Sequence, residues 1–137
     1  MRNTFTIQDH SLLVDADATS AFYLTQNPIV RDCSCEDCLY YVTELVRQPF
    51  EIFRILSLMG VDLVKNLIAE PTGVSCVVVE GICYDVQHAY RVVGQITPPV
   101  KNDVVYERTE HGYTVRAHFT QDGVDEIRID FFIEKER

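Results

Sequence analysis

Residues 104–133 read VVYERTEHGYTVRAHFTQDGVDEIRIDFFI, and the reading of this stretch decides the fold. Glu110-His111-Gly112 and Gln121-Asp122-Gly123 have the short polar and glycine chemistry of tight turns, and the runs around them alternate apolar and polar residues. Successive strand side chains leave opposite faces. Tyr113, Val115, Ala117 and Phe119 therefore point one way, and Thr114, Arg116, His118 and Thr120 the other. Val104 to Arg108, Tyr113 to Thr120 and Val124 to Ile133 become three strands of an antiparallel meander with one apolar and one wet face.

Working back, Val86 to Ile96 keeps the same period, with Val86, His88, Tyr90, Val92 and Ile96 on one face, and Pro98-Pro99 ends it. Val74 to Val79 is β-branched apart from Ser75 and Cys76, the composition of a strand covered on both faces, and Glu80-Gly81 turns it into Ile82 to Asp85. Before that the period changes. Ser34 and Asp37 have capping-box spacing, so a helix is expected to start near Cys35, with Cys35, Cys38, Leu39, Val42, Leu45 and Val46 as its apolar stripe. Gln48-Pro49 breaks it and starts a second helix, apolar almost all round from Phe50 to Met59 and stopped by Gly60. Val61 to Ile68 is expected to add a helical turn before Pro71. At the N-terminus, Thr4 to Gln8 and Leu12 to Ala16 are strand candidates about an Asp9-His10-Ser11 turn; Ser20 to Leu24 is aromatic without a clear period, and Asn27-Pro28 marks a turn. The expected architecture is one α+β domain over residues 1–137: N-terminal strands, two helices, then an antiparallel meander with the helices packed on one face.

Composition bounds the function. With 12 Lys and Arg against 21 Asp and Glu, the net charge of −9 disfavours nucleic acid, whose binding rests on neutralising phosphates. The excess acid is spread along the chain, as on a solvated surface, and inclines toward a cationic partner. No apolar run approaches the ~18 residues of a membrane span. The start, MRNTFTIQDH, has no apolar leader region, so a reducing cytoplasm is the expected compartment.

Three of the five cysteines fall within six positions, Cys33-Ser34-Cys35-Glu36-Asp37-Cys38. Thiolates are soft metal ligands, and Cys35 and Cys38 share one helical face, so Cys33, Cys35 and Cys38 are the candidate zinc ligands. A fourth would come from His10, His88, His111, His118, Glu36 or Asp37. The competing reading is packing, since Cys35 and Cys38 extend the stripe of Val42 and Leu45. A third is a Cys nucleophile, Cys33 or Cys38, with His88 or His118 as base. Cys76 and Cys83 flank the Glu80-Gly81 turn; a two-residue turn sets Val78 opposite Cys83 and Cys76 opposite Asp85, so the two thiols lie diagonally and no ready disulfide is expected. His88 reads as a core histidine, His118 as surface beside Arg116, and His10 and His111 as turn residues. No Ser/His/Asp order, phosphate-binding glycine loop or His-Glu-x-x-His motif is present.

Cys35-Glu-Asp-Cys38-Leu-Tyr-Tyr41, then Pro49-Phe50-Glu-Ile-Phe53 leading to Leu58-Met-Gly60-Val-Asp62, then Tyr90-Arg-Val-Val-Gly94-Gln-Ile96 resemble small uncharacterised bacterial proteins. In these a Cys-x-x-Cys-x-x-aromatic helix precedes a Phe-rich helix and an aromatic-x-x-x-Gly-x-Ile strand. The resemblance covers about half the chain; it implies helices before sheet and transfers no catalytic residue. The function expected is that of a non-enzymatic binding or accessory protein, immunity- or adaptor-like, with a protein partner and a homodimer through the Phe50–Met59 helix. The zinc module and the Cys enzyme are the alternatives.

Overall fold

Uninterrupted alternation makes one long strand of what the sequence divides into two, and this strand organises the fold. The computed structural model describes residues 2–32, 35–65, 75–79, 82–98 and 103–136, and of residues 30, 32, 75–79 and 82–84 the backbone. Its elements are β1 (Arg2–Ile7), β2 (His10–Asp15), α1 (Ala16–Leu24), the single turn α2 (Ile29–Asp32), α3 (Glu36–Thr43), a 3₁₀ turn at Leu45–Arg47, α4 (Glu51–Leu58), β3 (Ser75–Val79), β4 (Ile82–Thr97), β5 (Val104–Glu110), β6 (Tyr113–Gly123) and β7 (Glu126–Lys135). The strands form one antiparallel sheet in the order β1-β2-β4-β7-β6-β5, with β3 beside the first half of β4. The protein is α+β, as expected.

Register lines up the apolar face in rows. Tyr90, Ile129, Phe119 and Val104 stand opposite one another across β4, β7, β6 and β5, and His88, Phe131, Ala117 and Tyr106 form the next row. Against this face pack Cys38 and Tyr41 of α3, Leu45, and Phe50, Ile52, Phe53, Leu56 and Met59 at α4, all buried. Small Ala117 leaves room for rings: Phe53 meets Phe131 edge-on at 5.8 Å and Phe50 meets Tyr113 at 5.3 Å. Glu110, at the end of β5, accepts the backbone N–H of Glu51 at 2.7 Å, so a sheet carboxylate caps a helix that has no cap from its own Phe50.

One edge of β4 is shared. Ser75–Val79 of β3 pairs residues 82–87, and β2 pairs residues 94–97. Between them α1 closes the edge with side chains. The Tyr23 hydroxyl donates to the Arg91 carbonyl and accepts from the Arg91 N–H, both at 2.9 Å, and Thr19 Oγ1 accepts from the Val93 N–H at 3.0 Å. On the other edge the Gln121 side chain accepts from the Ile96 N–H and donates to the Gly94 carbonyl, replacing β7 beyond its end. Gly94 is required where β2 crosses: a Cβ there would stand 2.3 Å from the Leu13 carbonyl oxygen.

Several expectations are corrected. A third substantial helix, α1, occupies the Ser20–Leu24 region; its N-cap is Asp15, whose carboxylate accepts the Ala18 N–H at 2.9 Å. The first hairpin turns at Gln8-Asp9, closed by Ile7 opposite His10, so His10 lies on a strand. The stripe of α3 is rotated: Cys38 and Tyr41 are buried, Cys35 and Leu39 exposed, because the helix ends at Thr43 and Leu45 turns inward from the 3₁₀ turn. Cys35 is the N-cap, and Ser34 lies outside the described residues. Phe50 rather than Pro49 adjoins the first turn of α4. Gly60 ends that helix as expected, with φ +92° and the paired bonds from Gly60 N–H to Ser57 and from Val61 N–H to Leu56 that define a Schellman motif. The β6–β7 turn falls at residues 124–125, three residues later than the glycine signal placed it. A bulge at Val77/Val78 sets Cys76 opposite Val86, not Asp85. The Glu80-Gly81 turn and residues 66–74 lie outside the described residues.

Tyr23→Phe removes the partner of both Arg91 backbone groups, and Thr19→Val that of the Val93 N–H. Each is expected to cost about 1–3 kcal/mol, the penalty for a buried polar group left without a bond. The check is a lower urea midpoint at unchanged slope; an unchanged midpoint in both variants would show that α1 is not needed to complete the sheet.

Candidate functional site

The thiols and imidazoles that the sequence singles out do not meet at one place. Cys35 is exposed at the start of α3, and Cys38, one turn on, is sealed in the core. Cys33 lies outside the described residues, as do the side chains of Cys76 and Cys83. Among the described residues no three His, Cys, Asp or Glu are grouped so as to hold a metal ion. His88 is buried on the helix-covered face, its ring 5.0 Å from Tyr41 and 4.9 Å from Tyr90. His118 stands on the opposite face of the sheet, with Nδ1 3.4 Å from Asp103 and the ring edge-on to Phe132. A thiol on α3 therefore cannot use His118 as a base, because the sheet lies between them.

The core beside His88 is a chain of hydroxyls. Tyr90 donates to the Leu63 carbonyl and accepts from Tyr41, tying α3 and the segment after α4 to the central strand. Burial holds the hydroxyls of Tyr23, Tyr41 and Tyr90 far above the ordinary tyrosine range. Tyr40, half-exposed, is pushed up to about 12, first by desolvation and then by its bond to Tyr113.

Two features reach the surface. Along the helices, a groove of about 540 Å³ runs between α1 and residues 60–64 and continues past Val46 and Ser57 beside α4. Its rim carries Leu24, 81% exposed. Little of α4 itself is left for a partner: its apolar face is in the core, with Leu58 exposed and Ile55 half-buried.

The second feature is charged. The tip of the β1–β2 hairpin comes up to the start of β5, and a crevice of about 430 Å³ opens between them. Its walls are Gln8, Asp9 and His10 on one side and Asp103, Val104, Val105 and Glu107 on the other. Gln8 makes the turn in the left-handed region, φ +57°, which brings Asp9 to the tip. Asp103 is fixed by the Thr120 hydroxyl at 2.7 Å and by His118. Glu107 bonds Arg116 at 2.8 Å in an exposed pair, worth little in water. Three carboxylates thus line the crevice together with Val105, an exposed apolar side chain. Sequence reading missed this site because Asp9 and Asp103 come from elements nearly a hundred positions apart, and nothing local marks their meeting.

Two measurements follow from this geometry. In the folded chain, a thiol reagent with peptide mapping is expected to label Cys35 quickly and Cys38 only after denaturation; equal labelling would contradict the burial of α3. Stability is expected to hold up to pH ~10 and fall above it, because the unfolded tyrosines ionise near 10 while the folded ones ionise higher. The unfolded state then binds fewer protons than the native state, so stability is lost as pH rises through that window. A urea midpoint flat from pH 8 to about 12 would contradict it.

Among the described residues no helix is long and apolar enough to cross a membrane. Comparison with protein-family models, curated proteins and solved structures finds no match for this chain.

Proposed function

We propose that this chain acts by binding a cationic protein partner, as a non-enzymatic accessory protein of the immunity or adaptor kind. The observation that supports it is the crevice at the β1–β2 tip, lined by Asp9, Asp103 and Glu107 with Val105 on a chain of net charge −9. Carboxylates placed this way steer a basic partner and fix its register, while an adjacent apolar side chain supplies contact area. The bacterial origin implied by the resemblance and the cytoplasmic setting belong to the same reading.

A zinc module on Cys33, Cys35 and Cys38 is the second reading. It draws on Cys35, exposed at the start of α3, with Cys38 one turn on. About one zinc per chain in untagged protein, with loss of stability on chelation, would put this reading first.

The test of the binding reading is capture by the immobilised chain beside a variant carrying Asp9→Asn, Asp103→Asn and Glu107→Gln. A basic protein held by the wild type, released by about 0.5 M salt and not held by the variant is the expected result. Equal capture by both would remove the crevice from the proposal.

A further inference from the structure

We propose that Cys35 and Cys38 are a thiol–disulfide exchange pair that reduces a small disulfide, with Cys35 as the attacking thiol and Cys38 as the resolving one. The inference goes beyond the binding reading and uses a different surface, the start of α3.

Position is the first observation. Cys35 is the N-cap of α3, with extended backbone at φ −66° and ψ 166°, and its carbonyl accepts the Leu39 N–H at 3.0 Å. Cys38 is the third residue of the helix, so one hydrogen-bonded turn carries both sulfurs. Cα atoms three positions apart at a helix start are about 5–6 Å from one another, within the span that a disulfide bridges. The bond can therefore close without unwinding α3.

Burial gives the two thiols different roles. Cys38 is sealed in the core and packs as a small apolar side chain. Neither packing nor capping accounts for Cys35, which is exposed and makes no capping bond to the first turn. Ser, Thr, Asp or Asn would satisfy an N–H there, so the thiol gives up a cap and supplies chemistry in its place. An incoming disulfide reaches Cys35 alone, and Cys38 reaches only the Cys35 sulfur.

The exchange proceeds in two displacements. The Cys35 thiolate attacks one sulfur of R–S–S–R; that S–S bond breaks, and RS⁻ leaves and takes up a proton equivalent to the one Cys35 gave to water. The Cys38 thiolate then attacks the Cys35 sulfur, forming the Cys35–Cys38 bond and releasing the second RS⁻, which is protonated in turn. Two thiols of the chain are oxidised to one disulfide, and one small disulfide is reduced to two thiols. Glu36, exposed, and Asp37, half-buried, follow Cys35 directly and favour a positively charged disulfide over an anionic one.

The probe is cystamine, a small disulfide with two ammonium groups, added to the reduced full chain and followed by intact mass and peptide mapping. The expected result is loss of two hydrogens, a Cys35–Cys38 link and release of both halves of the cystamine, in Cys33→Ser as in the wild type. Cys38→Ala is expected to stop at a mixed disulfide on Cys35, and Cys35→Ser to consume cystamine at least about tenfold more slowly. Urea midpoints check that the variants fold. A disulfide formed with Cys33 in place of either thiol, or cystamine consumed equally by Cys35→Ser, overturns the proposal. So does a wild type whose Cys35 and Cys38 stay reduced, and if those thiols are then held by zinc, the metal reading takes its place.

Discussion

Every backbone N–H and C=O along the central strand β4 must find a partner, and the rest of the molecule is arranged around that demand. The sixteen residues of β4 are longer than any neighbour can cover. On one edge β3 and β2 each take a part, and between them α1 supplies a tyrosine and a threonine hydroxyl where a strand would have supplied peptides. On the other, Gln121 continues the ladder past the start of β7. A buried peptide group without a partner costs as much as several good contacts return, so these side chains are as much part of the sheet as its strands.

That arrangement places the helices. Thr19 and Tyr23 bind α1 to the edge of β4, while the hydroxyl chain from Tyr41 through Tyr90 to Leu63 fastens α3 and the exit of α4 over the middle of the sheet. Glu110 fixes the other end of α4 from the tip of the β5–β6 hairpin. With both ends of α4 held, Phe50, Ile52, Phe53, Leu56 and Met59 of the almost uniformly apolar run are buried in their own chain, while Leu58 stays exposed. The short β2, paired with only the last residues of β4, carries the first hairpin away from the sheet's centre and brings its tip to β5. The acidic crevice is a consequence of that closure.

Much of the framework was legible in the residues. The alternation in Tyr113 to Phe119 and in Val86 to Ile96 named the buried face residue by residue, and Gly60 marked a helix end by the backbone conformation it alone adopts cheaply. The rotated stripe of α3 and the helix α1 were not legible. The pattern Ser20–Leu24 has little amphipathic contrast, and its inward residues, Thr19 and Tyr23, are chosen for hydroxyls rather than for apolar area. A periodicity reading sees only apolar area. The candidate site was less legible still: the cysteine cluster drew attention because thiols are rare and adjacent, whereas common carboxylates become informative only when brought together.

The sequence by itself determined the strand alternation, the turn chemistry and the acid excess, since each depends on a residue and its near neighbours. Tertiary structure alone decided which strand edges were left open, which side chains completed the sheet, and which carboxylates met. Those outcomes depend on hydrogen-bond demand and chain crossing between elements distant in sequence, where no local pattern records the partner.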